Sequence, residues 1–432
     1  MITSETSHKH ILIVGAGLTG LILAQALRYL SQTQNAANSQ VRYSYSIYER
    51  DPYAFARGAG WSLTIHWALT DLHNILPPDI LASFSECLVN PGAAEQGNPG
   101  KFQFLDLRTG KPKESWPIPA NAASRVSREK LLALLMRNLA IQWSKKLADI
   151  THPSDSSVTA HFTDGSSATG DLLVGCDGAR SMVRRLLCPA IAMPHRLPVR
   201  LIGLRVLYPV EKVRQHCEPI DVHFFQGGDP QTNVYFWFSF IHLPRLTDLD
   251  THATCQIMMS WPYQPGFLGQ ETPTEMPESN ADLYDLPPET ELREIVLEDW
   301  PPRLDAWEHR KGTVTLVGDA AHGMTMCKSE LPLVYGCIMA LGRGKANGEN
   351  AVRGEAANHG VIDVSVLIRL LTASTKGESP TELEDIIQEY ESEMIQRTQP
   401  AVLKSRQACI DANHYARVQG SSPLISKRAM KD

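Results

Sequence analysis

The amino-terminal pattern of apolar and polar residues predicts a β-α-β unit. Four consecutive apolar residues, Ile11–Val14, predict a buried strand, and the apolar stretch Leu21–Leu30 predicts a helix after a short turn. Tyr43–Tyr48 predicts a second strand. Short apolar runs that alternate with helical segments are typical of parallel strands in an α/β domain. We therefore expect a parallel sheet at the start of the chain.

The pattern changes in the middle of the chain. Apolar and polar residues alternate in three runs, Val222–Gln226, Val234–Ile241 and Cys255–Trp261, which are rich in aromatic and aliphatic side chains. Such runs, separated by Gly- and Pro-containing turns, predict an antiparallel sheet. Elsewhere the pattern predicts a strand at Thr313–Val317 and helices at 124–138, 358–372 and 381–397.

These elements predict an α/β fold in which a Rossmann-like domain with a parallel sheet is interrupted by an antiparallel β-sheet domain and ends in helices. We expect the first part of the Rossmann-like domain at 1–190 and the inserted sheet at about 191–300. The Rossmann-like domain should return at 301–432, together with the C-terminal helices. A chain of 432 residues is long enough for two such domains.

Composition narrows the function classes. With 43% hydrophobic and 20% charged residues the chain should be globular, and a net charge of −6 without a basic block argues against a nucleic-acid partner. Eight scattered cysteines show neither paired spacing nor metal-ligand spacing, so we expect free thiols in a reducing compartment and no metal site. No signal peptide or 18-residue apolar run is visible, which predicts a cytoplasmic protein without a transmembrane segment.

The turn after the first strand carries a dinucleotide-binding motif. Gly15, Gly17 and Gly20 form G-x-G-x-x-G, and Glu49 ends the second strand. In this motif the glycines permit a tight turn, a close approach to a pyrophosphate and close helix packing, while the acidic residue holds a ribose hydroxyl. The motif by itself does not separate FAD from NAD.

Three further segments add candidate ligands. Arg125 and Arg128 precede an apolar helix, and a fixed guanidinium there could bind a flavin or phosphate oxygen. Asp177 follows a buried strand and can cap a helix that begins near Ser181. Asp319 ends the strand Thr313–Val317 in a turn of small residues, where it is suited to a ribityl hydroxyl.

Together these motifs resemble a known family. GAGLTG with Glu49, RVSRE, GCDGARSMVRR and GDAAH, in this order, are similar to the class A flavin-dependent monooxygenases, which have the para-hydroxybenzoate hydroxylase fold. The resemblance extends over nearly the whole chain and is closest to the salicylate hydroxylase-like enzymes of fungal secondary metabolism. It implies an FAD-binding domain with an inserted substrate-binding sheet.

The resemblance also implies chemistry and site residues. Such enzymes reduce FAD with NAD(P)H and use O₂ to hydroxylate an electron-rich aromatic ring, here one expected to derive from a polyketide. Arg205 and Tyr235, on the substrate-domain strands, are candidate catalytic residues. The residues implied to bind the cofactor are Gly15, Ala16, Gly17, Gly20, Glu49, Gly60, Arg125, Asp177, Asp319 and Ala357.

The chain departs from the family pattern after GDAAH. The family's loop of the form Met-Thr-x-(Phe or Tyr)-Arg-Gly-Glu is interrupted here by residues 327–352. Cys327-Lys328-Ser329 and Ala351-Val352 can be encoded by intron donor and acceptor sequences, so one hypothesis is a translated intron and the other a genuine loop. A second departure is the shortened segment Asn280–Glu291, where the family places a helix.

Two other functions remain open from the sequence. One is a flavin-fold chain that is impaired or inactive because of the 327–352 insert. The other is an NAD(P)-dependent dehydrogenase that uses the amino-terminal motif, although it would not account for GCDG or GDAAH. Oligomeric state is not predicted by any of these features.

Overall fold

The computed structural model describes residues 7–35, 41–58, 60–263, 293–307, 310–324, 355–376 and 382–426. The two departures from the family pattern, 327–352 and 280–291, therefore lie outside the described residues.

A five-stranded parallel sheet forms the centre of the first domain. Its strands are β1 (Ser7–Val14), β2 (Val41–Tyr48), β7 (Ile141–Gln142), β11 (Leu172–Gly175) and β17 (Val314–Leu316). Their order in the sheet is β17-β11-β1-β2-β7, so the first strand lies in the middle, between strands that come from distant parts of the chain. Ile11 pairs with both Leu172 and Tyr45, which confirms the predicted β-α-β unit.

Three long helices pack in this domain and bury its core. Helix α1 contacts α8, and α8 contacts α9. Their apolar residues join those of β1 and β11 in one continuous cluster. These helices are α1 (Leu18–Asn35), α8 (Ala356–Lys376) and α9 (Leu383–Ala412). The shorter helices are α2 (Leu69–Ile75), α3 (Pro78–Leu81), α4 (Pro91–Glu95), α5 (Arg128–Leu135), α6 (Met182–Leu187) and α7 (Val210–His216).

The predicted middle sheet has seven strands in the order β16-β12-β15-β14-β13-β4-β5. Neighbouring strands are antiparallel except β13 and β4. The strands are β4 (Lys101–Asp106), β5 (Pro112–Pro117), β12 (His195–Pro209), β13 (Phe224–Gly228), β14 (Tyr235–His242), β15 (His252–Pro262) and β16 (Arg293–Asp299). Because β4 and β5 precede residue 190, the sheet includes chain that the predicted boundaries assign to the first domain. Those boundaries stay a prediction.

The helix predicted over 124–138 is in part wrong. Residues Ser124–Ser127 form strand β6, which pairs antiparallel with β3 (Ser62–Ile65), and the helix α5 covers only Arg128–Leu135. Ser127 precedes α5 as expected, but its side chain makes no capping hydrogen bond. Strand pairing prevails because Val126 is fully buried beside Leu63 and β3 has no other strand partner among the described residues.

The remaining strands form a three-stranded antiparallel sheet, consisting of β8 (Leu147–Ser154), β9 (Ser157–Phe162) and β10 (Ser167–Gly170). The hairpin predicted at Asp164-Gly165 joins β9 to β10.

One described helical segment, Ala356–Ser374, is long and apolar enough to cross a membrane. However, 56% of that segment is buried inside the protein. Its apolar residues, including Val361, Val364 and Leu367, belong to the core cluster of the first domain. The segment therefore has the features of a core helix.

Candidate functional site

A cavity of about 360 Å³ lies where the carboxyl ends of β1, β2, β11 and β17 meet. In α/β proteins a nucleotide usually binds just outside the carboxyl ends of the parallel strands. The residues that line the cavity are Val14, Gly15, Gly17, Leu18, Thr19, Tyr48, Glu49, Arg50, Arg57, Arg128, Lys145, Lys146, Leu147, Cys176, Asp177, Gly178, Ala179, Arg180, Met182, Arg185, Val317, Asp319, Ala356 and Ala357.

The three motif glycines have different roles at this cavity. Gly15 has φ +112°, and a Cβ there would lie 2.5 Å from the carbonyl oxygen of Cys176. A Cβ at Gly20 would lie 1.9 Å from the carbonyl oxygen of Gly15, so Gly20 brings α1 against the turn. At Gly17, by contrast, no atom lies within 4 Å of an added Cβ. The space beside Gly17, at the positive end of α1, is therefore open to an anionic ligand.

Glu49 is held at the edge of the cavity. Its Oε2 accepts a hydrogen bond from the backbone N–H of Ala16 at 2.8 Å, and its Oε1 accepts one from Asp51 at 3.0 Å. The guanidinium of Arg57 lies 3.8 Å from Oε1. These contacts fix a carboxylate that can still accept hydrogen bonds from a ribose.

Asp177 combines a structural role with an unused acceptor. Its Oδ2 accepts hydrogen bonds from the backbone of Met182 at 2.6 Å and Val183 at 3.3 Å, which confirms the predicted cap of α6. Its Oδ1 is buried and has no hydrogen-bond partner. Because a buried acceptor without a donor is unfavourable, this atom suits a ligand hydroxyl.

The turn that carries Asp319 is fixed from two sides. The N–H of Gly318 donates to Asp363 Oδ2 at 2.8 Å. Arg184, which is almost fully buried, donates from Nη1 to the carbonyl oxygens of Asp319 at 3.3 Å and Ala320 at 3.0 Å. The turn therefore presents Asp319 to the cavity from a rigid frame.

Asp363 is the centre of a buried ionic network behind this turn. Its Oδ2 lies 2.6 Å from His322 Nε2, and its Oδ1 accepts a hydrogen bond from Arg397 Nη2 at 2.8 Å. Burial by itself would raise the pKa of the carboxyl, but the charges and hydrogen bonds of His322 and Arg397 outweigh it and lower the pKa. Asp363 therefore stays ionised and ties the turn to α8 and α9.

Six of the predicted site residues line the cavity together: Gly15, Gly17, Glu49, Asp177, Asp319 and Ala357. Ala16 and Gly20 are not among the lining residues but support them: Ala16 donates its N–H to Glu49, and Gly20 allows α1 to pack against the turn. Gly60 has φ +78° immediately before Trp61 and β3, outside the lining residues. The sequence motifs therefore converge on one site although they lie more than three hundred residues apart in the chain.

Arg125, Arg205 and Tyr235 lie outside the lining of this cavity. Arg205 is exposed on β12, and its Nη2 lies 3.4 Å from Glu129 Oε2. Tyr235 is fully buried, and its hydroxyl donates to Gln226 Oε1 at 2.8 Å. Their catalytic roles stay predictions. Arg125 packs between β3 and the seven-stranded sheet, where Nη1 donates to Thr64 Oγ1 at 2.9 Å.

Most of the cationic side chains at the cavity were not singled out by sequence reasoning. The lining holds seven Arg or Lys residues but three carboxylates, those of Glu49, Asp177 and Asp319. Of the two arginines in RVSRE, it is Arg128 that lines the cavity. The others are Arg50, Arg57, Lys145, Lys146, Arg180 and Arg185. Five of them follow strands of the parallel sheet, and this shared position is visible only after the strands are ordered: Arg50 and Arg57 follow β2, Lys145 and Lys146 follow β7, and Arg180 follows β11.

The cavity fits a dinucleotide such as FAD. The open space at Gly17 and the cationic lining suit a diphosphate, Glu49 suits a ribose, and the unpartnered Oδ1 of Asp177 suits a hydroxyl. Fold and site thus define a dinucleotide-binding α/β protein with an attached antiparallel sheet.

Comparison with known proteins identifies the family. No protein-family model matches the chain. A probable FAD-dependent monooxygenase from Arthroderma benhamiae is 40% identical over 98% of this chain and 96% of its own length. The FAD-dependent monooxygenase tazP of Aspergillus terreus is 40% identical over 87% of this chain and 92% of its own length.

A solved structure agrees with the fold. Klebsiella pneumoniae HpxO, complexed with FAD and uric acid, superposes with a TM-score of 0.64 at 18% identity, covering 96% of this chain and 91% of that chain. This chain belongs to the FAD-dependent monooxygenases, as the two relatives at 40% identity show and as the family resemblance predicts. The cofactor is therefore FAD, and the choice that the glycine motif left open is decided.

We expect the stability of the fold to fall between pH 6.5 and pH 4 because of His223. Burial and then the positive charge of Arg125 lower the pKa of His223 from 6.5 to about 4. In this interval the unfolded chain binds a proton that the folded chain excludes, so the free energy of unfolding decreases as the pH falls, by about 3 kcal/mol in all. Urea unfolding at several pH values measures this effect.

The control for this prediction is the exposed His252. His223→Gln should make the unfolding free energy depend less steeply on pH over this interval, whereas His252→Gln should leave the dependence as in the wild type. Equal slopes for wild type and His223→Gln would contradict the assignment.

Proposed function

We propose that this monooxygenase hydroxylates an aromatic small molecule of secondary metabolism, using NAD(P)H and O₂. The observation that carries the proposal is the convergence of Gly15, Glu49, Asp177 and Asp319 on one cationic cavity next to a buried, aromatic-rich sheet. Two facts about relatives support it: HpxO is complexed with uric acid, and tazP comes from a fungus. We also propose a cytoplasmic location, supported by the free cysteines among the described residues.

Six lining residues have a specific role in this proposal. Glu49 would bind the adenosine ribose, and the N-terminus of α1 beside Gly17 would bind the diphosphate. Arg128 would add positive charge there, while Asp177 and Asp319 would accept hydrogen bonds from hydroxyls. Ala357, the second residue of α8, would lie against the ring system of the flavin. When bound, FAD supplies the transfer of electrons from NAD(P)H to O₂ that oxygen insertion needs.

The proposal is tested with the purified full-length protein. We expect a yellow preparation with the absorbance of oxidised flavin, and NAD(P)H oxidation that rises at least about tenfold when an accepted phenolic compound is added. Mass spectrometry should show a product heavier by one oxygen atom. NAD(P)H consumption that yields only hydrogen peroxide with every ring compound would contradict a hydroxylase.

The insert favours a second candidate, a flavin-fold chain with impaired activity. Residues 327–352 separate the turn at Asp319 from Ala356 and Ala357, and all three of these residues line the cavity. Cofactor binding depends on both sides of this interruption. A chain with a mispositioned return to α8 would keep the fold but bind FAD weakly.

Replacing residues 327–352 by a single phenylalanine should therefore strengthen FAD binding by about tenfold or more, close to 1.4 kcal/mol. The shorter connection restores the family's loop between the two halves of the lining. Fluorescence titration of apoprotein with FAD measures the change. If the shortened chain binds FAD no better, and the processed transcript still encodes these residues, the insert is a genuine loop.

A further inference from the structure

Arg125 is a buried cation without a carboxylate partner among the residues that the structure describes. Arg125 is 7% exposed. Its Nη2 donates hydrogen bonds to the hydroxyls of Ser62 at 2.7 Å and Ser239 at 3.1 Å. Its Nε is buried and has no partner. Asp221 contributes a favourable charge, but its oxygens already accept backbone hydrogen bonds at Lys101 and His223. An unpaired buried cation is costly, so this position calls for an anion.

Flat aromatic surfaces surround the guanidinium. The ring centroids of Phe224 and Trp237 lie 4.6 Å apart with an interplanar angle of 12°. Arg125 Cζ lies 5.5 Å from the Phe224 centroid and 5.7 Å from the Trp237 centroid. The surroundings therefore combine a cation with apolar, planar walls, which suit an aromatic ring that carries a negative charge.

Several buried hydrogen-bonding groups in this region are unsatisfied. Besides Arg125 Nε, the indole N–H groups of Trp61 and Trp237 and the Nδ1 atom of His223 are buried and have no hydrogen-bond partner. The two tryptophans belong to the same apolar cluster, at 4% and 6% exposure. Because a guanidinium and an indole N–H can only donate, an oxygen acceptor on a ligand is the group that would satisfy them.

A short chain of contacts links Arg125 to the cofactor cavity. Arg125 Nη1 donates to Thr64 Oγ1, and the backbone oxygen of Thr64 accepts from Asn358 Nδ2 at 3.0 Å. Asn358 immediately follows Ala356 and Ala357, which line the cavity at the start of α8. Arg125 thus stands between the seven-stranded sheet and the part of the cavity assigned to the flavin ring.

We propose that Arg125 recognises an ionised oxygen, a carboxylate or a phenolate, on the aromatic substrate, whose ring packs against Phe224 and Trp237. The inference rests on the proposed function and narrows its substrate class to anionic aromatics. It also moves Arg125 from the cofactor, where the family resemblance placed it, to the substrate, and leaves the cofactor to Arg128. The residue selects and positions the substrate by charge.

The test uses two pairs of probes of matched shape and different charge, titrated into the FAD-loaded protein at neutral pH. Benzoate and benzamide report on a carboxylate, and pentafluorophenol, which is ionised at this pH, and pentafluoroaniline report on a phenolate. Binding is followed by the change in flavin absorbance. We expect the anionic member of at least one pair to bind at least about tenfold more tightly than the neutral one, and that pair identifies the oxygen.

Variants assign this preference to one side chain. Arg125→Met should reduce the charge preference to within about twofold, whereas Arg125→Lys, which keeps the charge but loses the fork of donors, should retain part of it. Arg303→Met, at an exposed arginine paired with Asp305, is the control and should change nothing. If Arg125→Met does not fold, the lysine variant and the wild-type preference still decide the outcome.

Three results would overturn the inference: no charge preference in the wild type, an unchanged preference in the variants, or loss of FAD from Arg125→Lys with the preference intact. The proposed function fails separately, on product analysis. A charge preference without any hydroxylated product would retain the Arg125 assignment and reject the hydroxylase.

Discussion

Replacing Asp363 by asparagine is expected to lower the free energy of unfolding by about 3–5 kcal/mol. The carboxylate accepts from three donors, His322 Nε2, the N–H of Gly318 and Arg397 Nη2, and both of its oxygens are used. An asparagine amide has one oxygen and one NH₂ group, so either orientation sets a donor against a donor. It also leaves the largely buried Arg397 with less negative charge. Urea unfolding of the apoprotein measures the loss.

The matched control for this prediction is Glu393→Gln. Glu393 binds the same arginine, through Arg397 Nε at 2.8 Å, but its side chain is 38% exposed. Solvent can replace much of that interaction, so we expect a loss below about 1 kcal/mol. Equal, small losses in the two variants would show that the buried network does not carry the stability assigned to it.

Asp363→Asn should also weaken FAD binding. Gly318 would lose its carboxylate acceptor, so the turn that presents Asp319 would be held by fewer contacts, among them those from Arg184. This effect separates from the loss of stability if FAD is titrated under conditions in which both proteins are folded.

Gly17→Val is expected to abolish most FAD binding while leaving the apoprotein folded. No protein atom lies within 4 Å of a Cβ built at Gly17, and its φ is not positive, so the Cβ of a substituted residue meets no protein atom in the apoprotein. Its methyl groups would occupy the space in which the diphosphate approaches the backbone N–H groups at the start of α1. We expect affinity to fall by about a hundredfold, close to 2.7 kcal/mol. Fluorescence titration with FAD and thermal unfolding of the apoprotein measure the two effects.

Substitutions at two other glycines serve as controls for this prediction. Gly420 is likewise open and lies far along the chain from the motif, so Gly420→Val should change neither property. Gly20→Ala should instead destabilise the apoprotein, because its Cβ would overlap the Gly15 carbonyl oxygen. Wild-type FAD affinity in Gly17→Val would contradict the placement of the diphosphate.

The amino-acid sequence by itself determined the local parts of this protein. The apolar run Ile11–Val14 followed by glycines dictates a strand and a tight turn, since burial and backbone freedom act within a few residues. The same holds for the Asp177 cap and for the alternating strands of the middle sheet. Family resemblance then linked these parts to FAD, and the relatives confirmed that link.

Tertiary structure decided what depends on distant partners. Strand β6 replaced the start of a predicted helix because β3 lies beside it, and β4 and β5 joined a sheet whose other strands follow residue 190. It likewise separated Arg125, directed to the sheet, from Arg128, directed to the cofactor cavity. The spacing between Arg125 and Arg128 did not predict which of them faces the cavity, because side-chain direction at a strand-to-helix junction depends on the surfaces packed on each side.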